Sequence, residues 1–316
     1  MNRSSCVSTE NTLRNPAIFL KVTELISIIG LPVFLYGTYC ILVVTPAKMK
    51  SVKWLMLALH CFSALSDAMF CFVTNPLIYI PAMAAHVLGV FDFPVVELYV
   101  MLTLLSVVGV TIVAVFENRY YILYGQGTWW SKVRKPFLAF NYFLAPTIII
   151  PMFLNIPDEE IAFKYISELL PCQPERYLNN RKIFILAVDY TRPLACGGSM
   201  TAIVMCEVFL FLGVILWKIG CGRRSKCSRK TVDLQNRFLL ALSLQILTHL
   251  LLLAIPFVYP LTAIFFNYHN QLVTNYVICA FSLHGFVSSI IMILVHQPYR
   301  EATLKPISRI VKPLSS

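Results

Sequence analysis

Seven long apolar stretches constrain this chain more than any other feature. A helix needs about 20 mostly apolar residues to cross the ~30 Å hydrocarbon core of a bilayer. The stretches that meet this requirement cover about 23–44, 54–74, 95–116, 136–154, 200–219, 238–259 and 274–295. Only 13% of the residues are charged and 58% are hydrophobic, a balance unlike that of soluble domains. The sequence predicts an all-α membrane protein, a seven-transmembrane helix bundle forming one domain over residues 1–316.

The basic residues predict how this bundle is oriented. Eighteen of the 26 Lys and Arg residues lie in loops on one side and eight lie in loops on the other. Because retained loops carry the excess of Lys and Arg, the N-terminus is predicted outside and the tail 296–316 in the cytosol. The net charge of +11 then indicates contact with anionic membrane lipid, and no nucleic acid partner is expected.

The predicted outer side carries two kinds of modification candidate. Asn2 begins the sequon Asn2-Arg3-Ser4, which predicts a glycosylation site. Cys172 and Cys196 share an oxidising compartment and are candidates for a disulfide with each other or with Cys6. Scattered histidines and the lack of a C-x-x-C pair predict neither a metal site nor a cofactor.

Residues 75–94 are apolar but interrupted by prolines and a glycine. Such punctuation is typical of connections and breaks helical patterns. We expect a connecting loop packed at the membrane surface.

Three polar residues within the spans are candidate functional groups. Asp67 lies deep in the second span, where a carboxylate costs ~2.5–3.5 kcal/mol on insertion scales and by default indicates function. The alternative is a protonated or internally hydrogen-bonded Asp that serves packing alone. Glu207, nearer the outer end of the fifth span, suits either ligand contact or a water-filled cavity. His284 is expected to face the bundle interior as a hydrogen-bonding group.

The segment "FENRYYILYG" (116–125) ends the third span on the cytosolic side. Arg119 is either an arginine that extends to the interface, as is common at helix ends, or a switch that is held in one state and released in another. Glu117 lies two residues away, about 200° round the helix, so it is poorly placed to hold Arg119. Any partner of Arg119 should therefore come from elsewhere.

The loop between the fifth and sixth spans is strongly basic. Its bases lie within 218–237 and include Arg223, Arg224 and Arg237. Contact with lipid headgroups explains such a run, and so does docking of a cytosolic protein.

Enzyme and transporter signatures are missing from the sequence. No Ser/His/Asp arrangement, P-loop or dinucleotide fingerprint occurs, so no catalytic residue is predicted. The two sets of three spans also lack the internal similarity typical of transporters. These absences argue against an enzyme and against a transporter built from two related halves. A ligand-gated channel or transporter of seven-helix architecture is kept as the alternative to the receptor class that the motifs below imply.

Several segments resemble one family of receptors over about residues 21–302. They are "YCILVVTPAKMKSVKWLMLALH" (39–60), "FENRYYIL" (116–123), "IPDEE" with "LPCQP", "LQNRFLLALSLQ" (234–245) and "HGFVSSIIMILVHQPYREA" (284–302). These are similar to the nematode chemoreceptors called serpentine receptor class H. The resemblance implies a G-protein-coupled chemosensory receptor in the plasma membrane of cilia or dendrites of chemosensory neurons. It further implies a small-molecule or pheromone-like ligand in the outer half of the bundle and a heterotrimeric G protein as partner.

The resemblance also implies roles for single residues. Asn118, Arg119 and Tyr120 occupy the place of the acid-Arg-Tyr motif of rhodopsin-like receptors, with Asn in place of the acid. Asp67 is near the place of their acidic residue in helix two, and sodium binding there is left open. No cysteine occurs in 75–99, so their usual disulfide to helix three is not expected. Homo- or hetero-oligomerisation is also left open.

Overall fold

Long helices make up most of the chain. The computed structural model describes residues 5–8, 10–172, 174–220, 243–244, 247, 251–252 and 258–311. Its helices are α1 (Pro16–Tyr39), α2 (Lys50–Ala68), α3 (Pro94–Tyr120), α4 (Trp130–Thr147), α5 (Glu159–Leu169), α6 (Thr191–Gly220), α7 (Gln271–Val295) and α8 (Gln297–Val311). A single π-helical turn extends each of the first three helices, to Val44, Val73 and Gly125.

Five of these helices are long and apolar enough to cross a membrane. They cover Pro16–Val44, Val52–Val73, Pro94–Gly125, Thr191–Lys218 and Gln271–Val295, which are the predicted spans one, two, three, five and seven. The fourth predicted span is a shorter helix, α4, followed by a 3₁₀ turn at Ile150–Met152. Most of the sixth span lies outside the described residues, apart from short pieces and its outer end at 258–265. The prediction of an all-α membrane bundle is confirmed.

Capping residues explain why the helices begin earlier than hydropathy predicts. Asn15 accepts a hydrogen bond from the Ala17 amide, and Pro16 takes the first helical position of α1. Asn270 caps α7 through the Val273 amide in the same way. Because these caps lie beyond the apolar run, α1 begins at residue 16 rather than 23.

A small sheet forms where only a loop was predicted. Within 75–94, β1 (Pro76–Tyr79) and β2 (Ala84–Val87) make an antiparallel hairpin. The long connection between α4 and α6 adds β3 (Tyr177–Leu178) and β4 (Arg181–Ile185), giving the antiparallel order β1-β2-β4-β3. Most residues of the hairpin strands are buried, so the segment shows a continuous apolar run and lacks the alternation that identifies a strand.

We call residues 5–15, the four strands and α5 together the outer cap, because they cover the predicted outer end of the bundle. A disulfide joins Cys6 to Cys172, and Cys196 is a free cysteine. The structure therefore overturns the Cys172–Cys196 pairing and selects the other alternative that the sequence left open. The bond ties the N-terminal segment to the chain just after α5.

The inner part of the core is built around α3. Nearly every residue of its last three turns is buried, including Val113 and Val115. Gly109 allows α6 to approach closely, since a Cβ at this position would lie 3.2 Å from the methyl groups of Val204. This central place brings the polar residues at the inner end of α3 against three other helices.

Candidate functional site

Arg119 lies at the inner end of α3 and is only 2% exposed. One of the two expectations was an arginine that extends freely into the membrane interface. The buried guanidinium does not fit that expectation. Burial of this charge is costly, and intramembrane ionisable groups usually mark function. The inner end of α3 is therefore the first part of the candidate site.

Glu117 holds a residue of α4 and not the neighbouring arginine. Its fully buried carboxylate accepts hydrogen bonds from Arg134 Nε at 3.0 Å and Nη2 at 2.9 Å, and from Trp130 Nε1 at 2.7 Å. Arg134 also donates to Asn118 Oδ1 at 3.3 Å and lies over the Tyr121 ring at 3.8 Å. This fork-shaped, two-oxygen contact joins the inner ends of α3 and α4. Neither Arg134 nor Trp130 was a candidate in the sequence.

Tyr120 lies in an aromatic cluster that connects the same end of α3 to α6. Its ring centroid is 6.3 Å from that of Trp130 and 5.9 Å from that of Phe211. Lys218 Nζ, near the end of α6, lies 4.9 Å from the Tyr120 ring centroid and 5.0 Å from that of Tyr124. Cation–π contacts of this kind add to the packing. Three helix ends thus meet around the Asn118–Tyr120 segment.

The junction between α7 and α8 lies next to Arg119. Burial, and after it the positive charge of Arg119, lowers the pKa of His296 to about 4. Tyr299, in the first turn of α8, is fully buried and its hydroxyl lies 2.7 Å from Thr45 Oγ1. The "HQPYREA" segment therefore packs between Arg119 and the inner end of α1.

A second polar cluster lies deeper in the bundle, between α2 and α7. Asp67 Oδ1 lies 2.7 Å from His284 Nδ1 and accepts from the Gly285 amide at 3.2 Å. Asp67 Oδ2 accepts from the Phe286 amide at 2.8 Å. Three N–H groups of one helix thus surround the carboxylate, which offsets the cost of burying it. The sequence named Asp67 and His284 separately and did not predict that they meet.

His60 continues this cluster towards α1. Its Nε2 lies 2.9 Å from the Phe34 carbonyl oxygen and its Nδ1 lies 3.3 Å from Ser289 Oγ. A Cβ on Gly37 would lie 2.7 Å from His60 Cε1, so glycine is needed for α1 to pass this close. His60 was not a candidate in the sequence, although a histidine within an apolar span was the signal that could have identified it.

Glu207 belongs to neither cluster. It lies near the midpoint of α6 rather than near its outer end, is partly exposed, and accepts from Asn141 Nδ2 at 3.2 Å. It therefore links α6 to α4. The candidate residues Arg223, Arg224, Arg237 and Asn2 lie outside the described residues.

One group of metal-ligating side chains occurs among the described residues: Cys6, Cys172 and His269. The two sulfurs are bonded to each other, so they are not available as thiolate ligands in this structure. His269 Nε2 lies 3.6 Å from Cys172 Sγ and its Nδ1 lies 2.7 Å from the Ile80 carbonyl oxygen. These contacts of His269 with Cys172 and Ile80 indicate a structural role in holding the outer cap.

The membrane-crossing helices, the buried polar clusters and the buried arginine at the inner end of α3 define a polytopic helical membrane protein with a polar interior. Residues 14–309 match the family described as serpentine type 7TM GPCR chemoreceptor Srh. The chain is 28% identical over 290 residues to serpentine receptor class H-72 of Caenorhabditis elegans, covering 88% of this chain and 82% of that protein. The chain belongs to the Srh family of chemoreceptors, a multi-pass membrane receptor family and not an enzyme family.

Proposed function

We propose that the protein is a G-protein-coupled chemosensory receptor, with Asn118, Arg119 and Tyr120 as its switch towards the G protein. The observation that carries the proposal is the burial of Arg119 where α3, α7 and α8 come together. Such a charge is stabilised in one arrangement of the helix ends and reaches the cytosol in another. Membership of the Srh family supports the same function.

The mechanism is a shift between two populated states. A small environmental or pheromone-like ligand in the outer half of the bundle binds one state more tightly, and the population moves by the difference in affinity. In the other state the inner helix ends separate and Arg119 meets the heterotrimeric G protein. The basic segment 218–237, with Arg223, Arg224 and Arg237, supplies further contacts for the G protein and for anionic lipid.

The site of action is the plasma membrane, in the cilia or dendrites of chemosensory neurons. Membership of the chemoreceptor family supports this location, and so does the predicted orientation, which presents the outer cap to the environment. The same orientation places Asn2 on the outer side, where it can be glycosylated.

The test compares Arg119→Ala with Arg119→Lys in cells that express the full chain at matched surface levels. Agonists are first found by calcium recording with a panel of odorants and nematode extracts, with and without GDPβS. Arg119→Ala should abolish the response, and Arg119→Lys should recover only part of it, because lysine lacks the planar fork of donors. An intact response in Arg119→Ala would refute the switch. A wild-type response that survives GDPβS would favour the channel alternative.

A further inference from the structure

The outer cap fills the bundle on the side of α1, α2, α3 and α7. One continuous hydrophobic cluster joins buried side chains of these helices to buried side chains of the cap. It includes Phe19, Phe70, Met101 and Phe281 from the helices and Leu77, Tyr79, Ile166 and Leu170 from the cap. On this side of the bundle the cap and the helices therefore pack directly against each other.

Hydrogen bonds fasten the cap to the outer end of α7. Gln271 Nε2 donates to the Ile78 carbonyl oxygen at 2.9 Å, and Asn275 Nδ2 donates to the Leu13 carbonyl oxygen at 2.5 Å. The Cys6–Cys172 disulfide closes the same region covalently. Displacing the cap would therefore break several contacts together.

An apolar crevice is open on a different side, between α3 and the end of α4. We call it the α3–α4 crevice. Its volume is about 230 Å³, and it is lined by Val95, Val96, Tyr99, Ile150, Phe153 and Leu154. Val96 is 59% exposed and Leu154 is 69% exposed, so the crevice opens away from the bundle axis. In the predicted orientation, that direction faces the outer leaflet.

The sequence of α4 creates this crevice. Pro151 disfavours continuation of the helix, because it lacks an amide donor and its ring would clash with the carbonyl four residues earlier, at Thr147. Accordingly, α4 ends at Thr147 and a 3₁₀ turn follows at Ile150–Met152. Phe153 then packs edge-on against Tyr99, with 5.8 Å between ring centroids. The crevice therefore lies where the regular helix α4 gives way to this turn, beside the outer end of α3.

The lining accepts an uncharged molecule and offers nothing to a charged one. It has no ionisable group other than Tyr99, whose hydroxyl already donates to the Pro146 carbonyl oxygen at 3.2 Å. An apolar cavity of about 150 Å³ takes benzene. A volume of about 230 Å³ therefore suits a molecule of roughly ten carbon atoms.

We propose that the α3–α4 crevice is a binding site for a small, uncharged, lipid-soluble ligand, which reaches the receptor through the outer leaflet. The link from this site to signalling rests on the proposed receptor function, but occupancy of the site does not. Ligand class and route agree, because exposed apolar side chains that face lipid are reached by molecules that partition into lipid.

Photolabelling tests occupancy without any signalling readout. The full-length protein in phosphatidylcholine nanodiscs is irradiated with 3-methyl-3-octyldiazirine, an uncharged ten-carbon probe, and labelled peptides are identified by mass spectrometry. Label should concentrate on 95–99 and 150–154 and fall at least fivefold with excess decan-2-one. Label spread evenly over lipid-facing helices, with no competition, would mean partition into the bilayer only and would overturn the proposal.

Two variants and a charged competitor make the test specific. Val96→Trp fills the crevice and should remove the competed label, whereas Leu25→Trp, at a 55% exposed position of α1, should leave it unchanged. Ile150→Phe provides a smaller filling change if Val96→Trp lowers the yield of folded protein. Equal competition by octyltrimethylammonium would refute the uncharged ligand class. A receptor that labels as expected but never activates a G protein would instead refute the proposed function alone.

Discussion

Asp67 and His284 meet across the interface of α2 and α7, with 2.7 Å between Asp67 Oδ1 and His284 Nδ1. Both residues are buried, and the amides of Gly285 and Phe286 complete the donors around the carboxylate. The contact joins two membrane-crossing helices through one acid and one base. It occupies the carboxylate with protein donors, at the position where the sequence left sodium binding open.

Removing one partner of this pair should destabilise the receptor strongly. Asp67→Asn keeps the shape but loses the charge, and breaking a buried pair typically costs about 3–5 kcal/mol. We expect a clearly lower Tm of the purified receptor, followed with a thiol-reactive dye that reports exposure of buried Cys40, Cys71 and Cys279.

The double variant Asp67→Asn/His284→Gln should lose less stability than the sum of the losses in the two single variants. Full additivity would show that the two side chains do not interact. Unchanged ligand potency and basal activity in Asp67→Asn would limit the pair to packing.

Gly285→Ala should force α2 and α7 apart. A Cβ at this position would lie 2.8 Å from Asp67 Oδ2 and 2.9 Å from the Ser63 carbonyl oxygen, and the backbone atom cannot easily give way. A loss of about 1–3 kcal/mol is expected from such overpacking. Gly213→Ala is the matched control, because nothing lies within 4 Å of a Cβ there. It should be neutral or stabilising by about 0.5–1 kcal/mol. Equal Tm values for the two variants would contradict the close approach.

Glu117→Gln should loosen the inner ends of α3 and α4. It weakens the two-oxygen contact to Arg134, whose charge would then lack its buried counter-ion. We expect a loss of roughly 3 kcal/mol, measured by thermal unfolding of the purified receptor. The control is Arg176→Gln in the outer cap, which breaks solvent-accessible ion pairs with Glu159 and Glu160 and should lower the Tm much less, because such pairs contribute little to stability. A larger effect from Arg176 than from Glu117 would reverse this ranking.

Cys6→Ser and Cys172→Ser should each lower surface expression, since loss of a native disulfide commonly costs about 2–5 kcal/mol. Cys196→Ser should have no such effect, because Cys196 is a free cysteine. Non-reducing peptide mapping of the wild type gives the direct check, with one linked peptide that contains both Cys6 and Cys172. A linked peptide with Cys172 and Cys196 would disprove the pairing described above.

Acid should weaken the outer cap through His86. Burial lowers the pKa of this β2 histidine to about 4, although the backbone of Glu175 opposes the shift. The folded state therefore takes up its proton at lower pH than the unfolded state, whose histidine has a pKa near 6.5. The contribution of neutral His86 to the free energy of unfolding is fully present above about pH 6.5. It decreases as the pH falls towards 4, by about 2 kcal/mol at pH 5.

The check is the Tm of the wild type and of His86→Gln at pH 7.5 and pH 5. The variant should show a smaller decrease between the two pH values, because glutamine does not titrate. A decrease of the same size in both proteins would assign the acid sensitivity to other groups.

Hydropathy and charge predicted the helices more accurately than the outer side. Five of the predicted spans coincide with helices that can cross a membrane, and a resemblance in motifs such as "FENRYYIL" led to the family that the comparisons show. The hairpin at 76–87 was missed because its burial hides the alternation of a strand. The partner of Cys172 was left open because disulfide pairing depends on which cysteines the fold brings close together in space.

The candidate site was found residue by residue but not as an arrangement. Asp67, His284 and Arg119 stood out because ionisable groups are rare within apolar spans. The sequence also indicated that Glu117 is poorly placed to hold Arg119, although it could not name Arg134 as the residue that Glu117 contacts. Helical spacing decides which residues share a face of one helix, and it carries no information about the neighbouring helix.

By itself the sequence determined that the chain is a membrane-spanning helix bundle of the Srh family, because hydrocarbon requires long apolar helices and the motifs are local strings. Only the tertiary structure decided that Asp67 meets His284, that Glu117 holds Arg134 and that Cys6 pairs with Cys172. These contacts join residues 217, 17 and 166 positions apart. Their formation depends on packing between elements, such as the close approach that Gly285 allows, and that packing is a property of the whole fold.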